Sequence, residues 1–272
     1  MAPPDGYSLT IDADGVATVG FDLPGKVNIM NDDFMMMMPH LLDVLEARRS
    51  DLRGVILTSH KSTFFAGGDL ELMLRCRRGQ EQFIFDHFER LKSFFRRLER
   101  MVLPLVAAIN GTALGGGYEL CLACHRRIAL ANPKTSIGLP EVNFGILPAA
   151  GGVIRLTAVL GIRPALEFLV TGRSVSVDEA LQAGLIHEVA DSEAAMMAQA
   201  KAWILANPGV KHPWDQPHEP GADRMSPQSQ STIASIGQSL RKTVGPARVR
   251  WGRGLTAGEP GRARCWPLRS PR

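Results

Sequence analysis

Residues 104–120 read PLVAAINGTALGGGYEL, and this stretch decides how the rest of the chain is read. An apolar run, Leu105 to Ile109, breaks at Asn110-Gly111. The chain then passes three glycines, Gly115, Gly116 and Gly117, before a second apolar run begins at Leu120. That order predicts a buried strand, a tight turn and the start of a buried helix. Glycine lacks a Cβ, so another group can approach the main chain closely. The first N–H groups of a helix have no internal partner and sit at its positive end. Glu119 falls within one turn of them. A free N–H donor beside an acid/base side chain is the outline of a catalytic site. The plainer reading of the same letters is glycines for helix packing and a glutamate that offsets the helix dipole.

Two further stretches bear on that choice. Upstream, FFAGGDLELM (64–73) again runs from a strand through Gly67-Gly68 to Asp69 and a helix start. Gly-Gly-Asp alone is a common turn and cap. Paired with Gly115–Gly117 it offers a second main-chain donor, and an oxyanion hole is often built from two such donors. Downstream, SIGLPEVNFGILP (136–148) fixes a loop with two glycines and two prolines around a single acid, Glu141.

Elements alternate along the rest of the chain. Residues 7–11 and 16–22 read as a hairpin turning at Asp14-Gly15. Helices are expected over 31–48, capped by Asn31, over 82–101 and over 149–160, 165–170, 177–183 and 194–206. Strands are expected at 54–58, 127–130 and 186–189. Met35–Met38 reads as core filling rather than a soft binding face. Alternating strands and helices argue for an α/β architecture.

Of the 272 residues, 45% are hydrophobic and 21% charged, which suits a globular protein. MAPPDGYSLT at the start carries no signal pattern, and no apolar run is long enough to span a bilayer. The four cysteines show no disulfide framework, so a reducing, cytoplasmic setting is expected. Cys121-x-x-Cys124 lacks a second ligand pair and reads as a buried helix face, so no metal is expected. The net charge of +4 is uneven. Nine basic residues and one acid fall from Arg241 onward, leaving 22 basic and 26 acidic before it, a net of −4. The segment from 207 to 272, rich in Pro, Ser and Gln and then in Arg, is expected to be a weakly structured basic tail after a catalytic domain over 1–206. Gly252-x-Gly254-x-x-Ala257 matches a dinucleotide fingerprint, but no apolar strand precedes it.

Four pieces together, FFAGGDL, AAINGTALGGGYEL, IGLPEVNFGILPAAGG and LVTGRSVSVDEALQAGLIHEV, resemble the crotonase (enoyl-CoA hydratase/isomerase) superfamily. Within it they are most similar to the hydratase portion of multifunctional fatty-acid oxidation alpha chains, without their dehydrogenase domain. The resemblance covers roughly residues 7 to 206. It implies a spiral of ββα turns with a helical C-terminal part. It implies an acyl-CoA thioester whose oxygen is held by the N–H groups of Gly68 and Gly116, and two acids, Glu119 and Glu141, acting on one water. It implies substrate contacts at Lys26, Val27, Ala66, Gly67, Asp69 and Leu70. No metal or redox cofactor is implied; coenzyme A belongs to the substrate. Homo-oligomers, or a fatty-acid oxidation complex, are the implied assemblies, with no nucleic acid. Gly68 stands where many relatives have alanine, and Ala149 where glycine is usual.

The implied reaction is hydration of a 2-trans-enoyl-CoA in β-oxidation. An isomerase moving a proton between two carbons would need only one well-placed acid, Glu141. A non-catalytic acyl-CoA-binding or assembly protein is the third reading, motivated by the unusual tail.

Overall fold

The computed structural model describes residues 6–216. The basic segment, the 252–257 fingerprint and Cys265 lie outside the described residues.

Strands β1 (Tyr7–Ile11) and β2 (Val16–Phe21) form an antiparallel hairpin. Its turn is tied by Asp12 Oδ1, which accepts from Asp14 N and Val16 N. Parallel pairing then adds β3 (Gly54–Ser59), β4 (Leu105–Ile109), β6 (Arg126–Leu130) and β9 (Glu188–Ala190), giving the order β1-β2-β3-β4-β6-β9. A parallel sheet needs cover on both faces, which is why β3 and β4 are continuous apolar runs. Alternate residues go to opposite sides. Val55, Leu57, Leu105, Ala107 and Ile109 join the main core, whereas Ile56, Val106 and Ala108 pack under α8 (Glu193–Ala206) with Met196, Ala200 and Ile204.

The main core is closed by α1 (Asp32–Ala47) and α3 (Glu81–Arg100), with the short α2 (Leu70–Arg75) between them in sequence. Asn31 caps α1 through Phe34 N. Met35, Met37 and Met38 are buried and Met36 is 64% exposed, so three of the four methionines fill core. On α3, Leu91, Phe95 and Leu98 are buried, whereas Phe83 near its start is exposed.

A second, three-stranded sheet of β5 (Ala113–Leu114), β7 (Ile137–Gly138) and β8 (Ser174–Val175) was not expected. Each strand has two residues, too few to show a period. Helices α4 (Gly116–Leu122), α5 (Gly152–Leu160), α6 (Ile162–Thr171) and α7 (Val177–Gln182) complete the body. Helix α5 starts three residues later than expected, because Ala149–Gly151 form the turn before it. Residues 207–216, assigned above to the tail, end in a 3-10 turn, Pro213–Asp215. There His212 is buried and stacked between His125, at 3.7 Å between ring centres, and Trp214, at 4.7 Å.

Candidate functional site

The two glycine turns are brought together by main-chain register. Phe65 bridges Ala113, with Leu114 N donating to Phe65 O at 3.0 Å. Met30 bridges Gly68, with Met30 N donating to Gly67 O at 3.0 Å. Gly117 permits the contact: a Cβ there would lie 2.4 Å from Phe65 Cβ and 2.7 Å from its carbonyl oxygen. The buried Asn28 fixes the approach to the first turn. Its Oδ1 accepts from Leu23 N, its Nδ2 donates to Ser59 Oγ and Phe64 O, and its carbonyl accepts from Ala66 N at 2.9 Å. As a result, a methyl group built on Gly116 would sit 3.8 Å from Gly68 N. Gly115 N is used by Gly138 O, while the N–H groups of Gly68 and Gly116 meet no acceptor among the described residues.

Beside these donors lie the two acids. Glu119, on the first turn of α4, is 2% exposed. Its Oε1 accepts from Ala150 N at 2.8 Å and Gly152 N at 2.7 Å. Burial, then the charge of Glu141, push its carboxyl up to about 8, against the pull of those two amides and of Arg155. Glu141 sits in a 3-10 turn, Pro140–Phe144, anchored by Asn143 Nδ2 donating to Gly172 O. Burial pushes it up to about 7, and its Oε2 has no hydrogen-bond partner. Two carboxyls raised towards neutrality can trade a proton at physiological pH.

Gly68, Gly116, Glu119 and Glu141 line one cavity of about 150 Å³. Met30, Met73, Phe88, Leu91, Phe144 and Leu147 make its walls apolar. Two donors, two acids and a greasy wall in one cleft suit a substrate with a polar reacting end and an apolar tail.

Of the other residues singled out from the sequence, Ala66, Gly67 and Leu70 line the cavity. Asp69 turns its side chain to cap α2, accepting from Leu72 N at 3.0 Å. Lys26 and Val27 lie outside the cavity lining, in a loop whose Gly25 carbonyl accepts from Lys61 Nζ at 2.8 Å. Sequence reasoning overlooked Asn28 and the buried pair Glu99 and Arg155. No local pattern marks them, since their partners lie 31 and 56 residues away.

The profile of the enoyl-CoA hydratase/isomerase family matches residues 12–207. The chain is 37% identical over 192 residues to the fatty acid oxidation complex subunit alpha of Idiomarina loihiensis, and 36% over 217 residues to that of Shewanella halifaxensis. These alignments take in 70% and 78% of this chain, and they span only 27% and 29% of those relatives. Among solved structures, enoyl-CoA hydratase from Bacillus anthracis superposes with a TM-score of 0.66 at 29% identity, covering 74% of this chain and 76% of that one.

Proposed function

The chain belongs to the enoyl-CoA hydratase/isomerase family, and from that premise we propose that it adds water to 2-trans-enoyl-CoA thioesters, giving 3-hydroxyacyl-CoA in fatty-acid β-oxidation. The observation that carries this reading is the convergence of two unused main-chain donors and two buried acids on one cavity.

In the proposed reaction the thioester oxygen accepts from Gly68 N–H and Gly116 N–H. Glu119, held through Oε1, positions a water and takes its proton as the water oxygen bonds to C3. The electron pair of the C2–C3 double bond moves onto the thioester as an enolate, which the two donors stabilise. The two acids share one proton near neutral pH, and the reacting form is the one with that proton on Glu141, which delivers it to C2. One carboxyl gains the proton the other gives up, so charge balances over the cycle. The reaction as written uses no metal or redox cofactor, and coenzyme A enters only as part of the substrate. Losing one oxyanion donor typically lowers the rate about 100- to 1,000-fold, and losing a general acid or base about 100- to 10,000-fold.

Isomerisation of a 3-enoyl-CoA to a 2-enoyl-CoA is the second reading, favoured by the unpartnered Oε2 of Glu141. A single such acid can carry a proton from C2 to C4. Hydration of 2-enoyl-CoA and isomerisation of 3-enoyl-CoA, measured on the wild type, Glu119→Gln and Glu141→Gln, separate the two. The hydratase reading expects both variants to lose hydration. Isomerisation that survives Glu119→Gln, with no hydration in the wild type, reverses the order. Acyl-CoA binding without turnover in any of the three leaves a binding protein.

A further inference from the structure

Glu119 is held by a turn, and that turn is itself held. Ala150 N and Gly152 N donate to Glu119 Oε1, while Ala150 O accepts from Arg155 Nη1 at 2.8 Å. Arg155, 7% exposed, donates through Nε to Glu99 Oε1 at 2.6 Å. Glu99, 4% exposed on α3, accepts through its other oxygen from Arg96 at 2.8 Å. Arg96 pairs in turn with Asp215, in the 3-10 turn that follows α8. Gly151, with φ of +99°, leaves room for the guanidinium, since a Cβ there would lie 2.3 Å from Arg155 Nη1.

A buried ion pair is seldom a net source of stability, because desolvating both charges offsets their attraction. Its value here is directional. A guanidinium presents donors in a rigid planar fork, so the carbonyl of Ala150 and the carboxylate of Glu99 are held at a fixed angle to each other. The peptide between Ala150 and Gly152 then presents its amides to one carboxylate oxygen.

We propose that Arg155, braced by Glu99, is a positioning residue for the reaction. It fixes the 150–152 turn so that Glu119 Oε1 stays locked and the rest of that carboxyl faces the reacting water. This inference rests on Glu119 being the residue that activates water. Arg155 also faces Glu119 electrostatically, opposing burial and the charge of Glu141.

The test uses the full chain with a 2-enoyl-CoA substrate, and Glu119→Gln is measured in parallel. For Arg155→Gln the expected result is kcat lower by about 10- to 100-fold, the size of effect that follows from misplacing a group by about 1 Å. KM should stay within about threefold, since Arg155 does not line the cavity. The acid limb of the kcat profile should also move to higher pH, because removing a cation raises the carboxyl it faced. Unchanged kcat, or a fall in kcat with an unmoved acid limb and a parallel rise in KM, overturns the proposal. If Arg155→Gln does not fold, Arg155→Lys, which keeps the charge and loses the fork, is read by kcat against KM alone. A tenfold loss in kcat at constant KM supports the fork, and full activity overturns it. Glu119→Gln with full hydration defeats the reading of Glu119 itself. Inactive Glu119→Gln beside fully active Arg155 variants defeats only the positioning role.

Discussion

Oε1 of Glu119 lies 2.7 Å from the amide nitrogen of Gly152, and a Cβ on Gly152 would come within 2.8 Å of Glu119 Cγ and 2.9 Å of that same oxygen. The hydrogen bond and the absence of a side chain are one requirement. Gly152→Ala must push the carboxyl away, at a site where Pro148 Cβ, 3.1 Å distant, blocks relaxation on another side. The expected loss in kcat is at least about tenfold, equivalent to about 1.4 kcal/mol of transition-state stabilisation. Kinetics of enoyl-CoA hydration check it, and wild-type turnover in the variant would show that Glu119 tolerates the shift.

Two glycines of the donor pair of turns should behave oppositely on substitution. At Gly68 a Cβ meets only Met73 Cε, at 3.5 Å, an ordinary contact. Gly68→Ala should therefore keep its N–H in place, with activity within about threefold of wild type. At Gly117 the same methyl meets the side chain and carbonyl of Phe65 well inside contact distance. Gly117→Ala should lose about 1–3 kcal/mol or more through overpacking. Thermal unfolding of both variants decides; equal melting temperatures would contradict the close approach of the two turns.

Glu141 links stability to pH. In the folded chain its carboxyl keeps its proton up to about pH 7, against an ordinary value of 4.5. Between those values the unfolded chain binds fewer protons than the folded one, so stability falls as pH rises. Glu141→Gln removes that slope. The variant should match the wild type near pH 4.5 and exceed it by about 1–3 kcal/mol near pH 7.5. Urea denaturation at the two pH values measures the difference, and a constant gap between variant and wild type would count against a buried, uncompensated acid.

Asn28 makes its contacts through both ends of one amide. Asn28→Ala strands Leu23 N and leaves Phe64 O without that donor, in a site that is 0% exposed. A loss of about 2–4 kcal/mol is expected, since buried groups left unpaired carry their full desolvation penalty. The melting temperature reads it directly, and an unchanged value would count against the amide's role in holding this loop.

Much of this was legible in the letters. Leu105–Ile109, set between Pro104 and Asn110-Gly111, and the run that opens at Gly54 are short and rich in Val and Ile, which favours buried strands over helix. The glycine turns at 67–68 and 115–117 and the acids at 119 and 141 also stood out by type and order. What the letters did not carry was registration over distance. The bridges Met30–Gly68 and Phe65–Ala113 join segments tens of residues apart, and two-residue strands have no periodicity. Arg155 looked like one more helix residue, because its partner Glu99 sits on another helix. The cap that Asp69 makes on α2 follows from its place just before the helix start, a position readable from the letters alone.

The bridges between Met30 and Gly68 and between Phe65 and Ala113 are made entirely of backbone. Mutation edits side chains, so drift in the surrounding letters, Gly117 and Asn28 apart, leaves this meeting of the two turns where it is. The cavity walls, by contrast, are side chains such as Phe88, Leu91 and Phe144, each free to be exchanged one at a time. A lineage carrying this fold can therefore reshape the cavity walls while inheriting the paired glycine turns.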